Sequence, residues 1–229
     1  MTDKTINHFM FLRFSGAFWA LPAEQRAASL LAFAQSLQGV TGCTNFYQVS
    51  PLKAGVDLLV WNAAPLESET DEAAFFQRLA RGAFAHGSLF EQVEDLWGYT
   101  RPSVYSRAPS PQEIDPFAAR RQPYLVLYPF VKTIQWYLLG KDTRQGMMNE
   151  HIRIGHQYPE IKQLLLYSFG VQDQEFIVVY ETENLYHFSE LVNELRGSDV
   201  REYTQRDTPV YTALWRSPGE LAELVGAKG

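Results

Sequence analysis

Residues 108–116, APSPQEIDP, hold the densest run of proline and turn-forming residues in the chain. Proline lacks an N–H and fixes φ, and Ser and Asp offer their own backbone a turn in place of a helix or a ladder. A run of this kind marks a boundary between folding units. It divides the 229 residues into a half at 1–107, a linker at 108–121 and a second half at 122–229.

Working back from the linker, 97–106 is extended, and 69–79 has Ala73, Phe76 and Leu79 along one helical side. Strands are predicted at 44–49 and 56–61, separated by Ser50, Pro51 and Gly55. A helix begins after Leu21, with Pro22 in a first turn that tolerates it. Leu30, Leu31, Phe33 and Leu37 follow at helical spacing, and Gly39 is the stop. Residues 7–17 (NHFMFLRFSGA) form the first strand.

Working forward, YLVLY at 124–128 is a strand running toward Trp136, and Asp142 or Thr143 caps a helix reaching Tyr158. Pro159 precedes a strand at 161–169, Gly170 turns the chain, and 176–180 is the next strand. A helix at 183–195 buries Leu185, Phe188, Leu191, Val192 and Leu195 and closes at Gly197, and a strand at 210–215 ends the fold. Each half therefore reads β-α-β-β-α-β. The expected class is α+β: two ferredoxin-like halves, each an antiparallel sheet with helices on one face. The two exposed sheet faces can bury each other as a β-barrel-like pair with the helices outside.

Composition narrows the function. Apolar residues make up 46%, enough for a substantial core, and 20 Lys and Arg stand against 26 Asp and Glu with no long basic run. Nucleic acid is not an expected partner, since binding its phosphates needs clustered cations. One cysteine, Cys43, excludes an internal disulfide and Cys-rich zinc or iron–sulfur sites. No apolar run approaches the roughly 18–20 residues of a membrane span, and Arg13 interrupts the apolar start with no export signal evident. A soluble, cytoplasmic protein is expected.

No GxGxxG follows a strand, and Gly140-Lys141-Asp142-Thr143 lacks the upstream glycine of a phosphate-binding loop. Of five histidines, His151 and His156 share a helix but lie about 140° apart around it, so they do not converge on one metal ion. His156 then faces solvent or a neighbouring loop. Met147, His151, Ile154 and Tyr158 fall on one inward stripe. An inward histidine is either a core residue bonded to a carbonyl or a neutral axial ligand of haem. On the following strand Gln163 heads the face carrying Leu165, Tyr167 and Phe169. It is either a structural hydrogen bonder or a donor above a ligand.

The stretch Tyr128-Pro-Phe-Val-Lys132, then Trp136-Tyr137, Met148-Asn-Glu-His151, Lys162-Gln163 through Gly170, and Tyr180-Glu-Thr-Glu-Asn-Leu185 resembles the chlorite dismutase and coproheme decarboxylase family. The likeness covers about residues 122–216. It implies two ferredoxin-like halves, a ring of five subunits, and haem in the second half. By the resemblance His151 is the proximal iron ligand, Trp136 lies beside the haem, and Met147 packs in the pocket wall. Gln163 takes the distal position, where chlorite-degrading members carry an arginine. The coproheme decarboxylase pattern matches better, with Tyr128 as the radical residue and Lys132 as a propionate partner. The implied reaction uses hydrogen peroxide to convert coproheme, the substrate, into haem b, the product. The alternatives are chlorite dismutase or a weak haem peroxidase, a non-catalytic haem binder, and a haem-free protein of the same fold. Residue by residue, Tyr128 also reads as a sheet aromatic and Lys132 as an edge charge that guards against strand pairing.

Overall fold

The computed structural model describes residues 4–38, 42–68, 71–105 and 110–226. The expected stop at Gly39, the helix start at Glu69, the strand end at Ser106 and the linker start at Ala108 lie outside the described residues. The first half runs β1 (Thr5–Phe14), α1 (Gly16–Trp19), α2 (Ala23–Leu37), β2 (Cys43–Gln48), β3 (Leu58–Pro65), α3 (Asp71–Ala85) and β4 (Phe90–Thr100). The second runs β5 (Tyr124–Lys132), α4 (Ile134–Leu138), α5 (Lys141–Gly155), β6 (Lys162–Tyr167), β7 (Phe176–Thr182) and α6 (Leu185–Arg196). A 3-10 helix (Asp199–Tyr203), β8 (Thr204–Arg206), β9 (Tyr211–Arg216) and α7 (Pro218–Gly226) follow.

The doubled pattern holds, with sheets ordered β4-β1-β3-β2 and β6-β7-β5-β9. Two short seams join them. At one, Tyr47 lies opposite Trp215 in β9; at the other, Tyr99 lies opposite Tyr167 in β6. Eight strands thereby close into a barrel, and β8 pairs with the outer end of β5. Closure removes the sheet edges that would otherwise invite pairing with other chains.

Strand alternation sorts side chains into three cores. Phe9, Phe11, Trp61, Leu125, Leu127, Leu164, Leu166 and Ile177 fill the barrel. Ile6, Met10 and Leu12, on the other face of β1, meet Leu30 and Phe33 of α2 and Phe75 and Leu79 of α3. In the second half Val126, Val178 and Tyr180 pack under Ile154 of α5 and Phe188 and Leu191 of α6. β1 and β5 are largely buried on both faces, which is why they read as nearly continuous apolar runs. Burial of each such side chain contributes roughly 1.5–3 kcal/mol.

Several elements differ from expectation. β5 stops at Lys132 rather than running to Trp136, because α4 intervenes. β4 starts at Phe90 rather than at the expected Trp97, through a polar stretch; Arg13 of β1 pairs there with Glu91 at 2.5 Å. The chain does not end at β9. In α7, Leu221, Ala222 and Val225 join the core of the first half against α2. Among the described residues no helix is long and apolar enough to cross a membrane.

Candidate functional site

On β6, Leu164 and Leu166 point into the barrel, so Gln163, Leu165 and Tyr167 point outward toward the helix layer. That layer covers Val126, Val178 and Tyr180 but leaves Gln163 exposed and Leu165 38% exposed. An exposed leucine on a strand flanked by β4 and β7 marks a gap in the helical cover. Aromatic rings continue this strip: Phe130 stacks on Phe176 at 4.6 Å between centroids, Phe169 meets Phe176 at 4.8 Å, and Tyr137 meets Phe169 at 6.2 Å.

His151 sits on α5, one turn before the buried Ile154. Burial and the Lys132 charge push its imidazole down to about 4, so it is neutral near pH 7. Its Nδ1 is buried with no hydrogen-bond partner. Met147 is half-buried one turn earlier, and His156 is exposed, as its angular offset predicts.

Lys132 closes β5. Its Nζ lies 3.2 Å from Thr204 Oγ1 and 3.4 Å from the Val200 carbonyl, 4.7 Å over the Trp136 ring. Desolvation first, then Arg201, push the ammonium down to about 8. Trp136 is 4% exposed and also contacts Tyr105 and Tyr203. Glu175 accepts from the Lys132 backbone N–H at 2.8 Å and from the Tyr137 hydroxyl at 2.5 Å. Tyr128 is half-buried beside Tyr180, and burial raises its phenol above the usual tyrosine value.

The linker is threaded into this region. The Gln163 backbone N–H donates to the Gln112 carbonyl at 2.7 Å, and its carbonyl accepts from Ile114 at 3.0 Å. Gln112 Nε2 reaches the carbonyls of Gly155, Tyr158 and Ile161 at 3.2, 2.9 and 3.0 Å. The segment joining His151 to Gln163 is thus pinned at both ends while the Gln163 side chain stays exposed.

The structure brings Tyr128, Lys132, Trp136 and His151 to one end of the second half, with Gln163 on the outward face of β6, across β7 from β5. Gln112 and Glu175 were missed, because neither belongs to a local motif and both act across the fold. A hollow of about 400 Å³ lies elsewhere, at the barrel mouth, and none of the sequence-predicted site residues lines it. Among the described residues no cluster of three or more His, Cys, Asp or Glu side chains is set to hold a metal ion. An iron centre would depend on one histidine and on nitrogens from outside the protein. The residues present fit a haem: a neutral imidazole with a partnerless buried nitrogen beside an uncovered apolar strip.

A family model described as chlorite dismutase matches residues 18–216. The coproheme decarboxylase of Mycolicibacterium smegmatis is 28% identical over 218 residues, spanning 92% of this chain and 90% of that protein. The chlorite dismutase of Candidatus Nitrospira defluvii, solved in complex with imidazole, superposes with a TM-score of 0.84 at 21% identity, covering 99% and 97% of the two chains. A mutant of the same enzyme in complex with cyanide superposes at 0.85, with 21% identity and the same coverage.

Proposed function

Because the chain belongs to the chlorite dismutase family, we propose that it is a haem-binding oxidoreductase that decarboxylates coproheme to haem b with hydrogen peroxide. The observation that carries this reading is His151, neutral and lacking a partner at Nδ1, next to an uncovered strip bordered by a neutral Gln163 rather than a cation. The M. smegmatis relative supports it by its name. Iron coproporphyrin, with peroxide, would supply the oxidising equivalent, the protein supplying placement and charge.

His151 offers its ring lone pair to iron without first losing a proton. Trp136 backs Lys132, and Met147 closes the wall. The Lys132 ammonium is the charge partner for a propionate. Gln163 can hydrogen-bond a bound oxidant but gives an anion no positive charge, which disfavours chlorite turnover. Tyr128 loses one electron and one proton; its phenoxyl then takes a hydrogen atom from the β-carbon of a propionate. Both electrons lost in each conversion, one of them by way of Tyr128, would pass to one hydrogen peroxide, which is reduced to two waters, and the departing carbon dioxide would leave a vinyl group; two propionates react in turn. A ring of five subunits and a cytoplasmic location belong to the same reading, supported by the family and by a lone cysteine.

Tyr128→Phe is expected to bind coproheme with unchanged affinity in a Soret titration and to yield no vinyl product. Wild-type turnover in that variant would remove Tyr128 from its role.

A further inference from the structure

The ladder between β5 and β7 ends at the pair Phe130 and Phe176. β5 then shifts register between Val131 and Lys132 as it turns to β8, so the Lys132 N–H has no partner in β7. A carboxylate oxygen takes it instead. Glu175 Oε2 accepts from the Lys132 N–H at 2.8 Å, and the same atom accepts from the Tyr137 hydroxyl at 2.5 Å. Tyr137 lies on α4, a helix of five residues with no side-chain cap bond, too short to hold itself in place. Its neighbour Trp136 carries the ring over which the Lys132 Nζ lies, at 4.7 Å. Glu175 is itself tied across the turn between β6 and β7, where its carbonyl accepts from the Ser168 N–H at 2.8 Å. A single oxygen thus joins the root of the Lys132 side chain to the helix that supports its tip.

We propose that Glu175 is a positioning residue for Lys132: it locks the shifted backbone and α4 together, so that the ammonium is aimed at a propionate carboxylate. The inference rests on the reading of Lys132 as a propionate partner and adds the residue that directs it. A carboxylate suits this task because it only accepts, can serve two donors at once, and makes bonds roughly twice as strong as neutral ones. Nζ bonds Thr204 Oγ1 and the Val200 carbonyl, not Glu175. Both of those partners are uncharged. An ammonium has three donors, so one is left, with the full charge, for a carboxylate from outside the protein. Glu175 acts through Lys132 and α4 and exchanges neither proton nor electron with the substrate.

Two measurements test this. In the protein without porphyrin, hydrogen exchange followed by NMR is expected to find the Lys132 amide protected. In Glu175→Ala that amide should exchange about tenfold faster, with the amides of Leu125 and Leu127 in the middle of β5 unchanged. In Soret titrations Glu175→Ala is expected to weaken coproheme binding about tenfold, the effect of one hydrogen bond, and to add nothing in a Lys132→Met background. Tyr137→Phe keeps the ring and removes only the bond to α4, and it should weaken binding in the same non-additive way. A Lys132 amide that exchanges equally in wild type and Glu175→Ala, or losses that add in full to that of Lys132→Met, overturn the proposal and leave the decarboxylase reading standing. A Lys132→Met variant that binds coproheme as tightly as wild type overturns the reading of Lys132 instead, while amide exchange still decides whether Glu175 holds the strand.

Discussion

Lys132 sits where its charge is hardest to keep. Burial and Arg201 hold its ammonium near 8, against an ordinary lysine value of 10.5, with Glu175 opposing them. The folded value lies below the unfolded one, so the charged lysine penalises the native state below pH 8, and the penalty fades as pH rises from 8 toward 10.5. On the proposed reading, the charge that Lys132 offers a propionate disappears as pH passes about 8. Coproheme affinity should therefore fall as pH rises through 8, whereas Lys132→Met should bind more weakly at neutral pH with a flat profile. Soret titrations on either side of that pH check it; a wild-type profile without a step would separate Lys132 from substrate binding. His151 was legible from helical spacing, since its stripe partner Ile154 is buried at 8% exposure and His156 is exposed. Glu175 was not: its carboxylate meets Lys132 and Tyr137 from about 40 residues away, a meeting that the pairing of β5 with β7 and the turn into α4 create together.

The elements the sequence left out have specific causes. Ser217-Pro218-Gly219-Glu220 is a reciprocal cap: Ser217 N–H donates to Glu220 Oε2 at 2.8 Å, and Glu220 N–H donates to Ser217 Oγ at 3.2 Å. The signal for α7 was thus present, but the β-α-β-β-α-β repeat has no place for another helix. α4 is a single turn with no side-chain cap, too short for periodicity to register. The polar start of β4 hid it because the barrel mouth gives such a strand polar company: Glu94 bonds the Tyr211 hydroxyl. The seam between β4 and β6 depends on Gly98, where a Cβ would come within 2.9 Å of the Tyr167 carbonyl and 2.7 Å of Ser168 Oγ. The backbone oxygen is held in the strand, so Gly98→Ala should cost about 1–3 kcal/mol and loosen the outward face bearing Gln163. Urea unfolding measures this, and an unchanged midpoint would mean that the seam adjusts freely.

At the scale of the molecule, the stretch expected to link two halves also packs into the barrel. Ile114 enters its core, and the Arg121 side chain, 2% exposed, stands 3.2 Å from Glu181, itself 3% exposed, without the alignment of a hydrogen bond. Arg121 also donates to the Asp115 carbonyl at 2.6 Å and lies 5.4 Å over Trp61. Composition alone could not reveal this, because an arginine in a proline-rich run looks like solvated loop until the barrel closes around it. Arg121→Met strands a buried carboxylate and should lower stability by about 3–5 kcal/mol, with much of the loss recovered by adding Glu181→Gln. Chemical denaturation of the single and double variants checks this; a loss below about 1 kcal/mol would show the carboxylate to be solvated.

With His151 holding the iron, Lys132 a propionate and Tyr128 starting the oxidation, hydrogen peroxide is expected to turn bound coproheme into haem b. Peroxide added to the coproheme complex, with the porphyrins then separated by chromatography, tests it directly. Loss of coproheme and the appearance of haem b, with vinyl groups in place of two propionates, are expected. Coproheme recovered intact or merely bleached, together with rapid oxygen release when chlorite replaces peroxide, would contradict it.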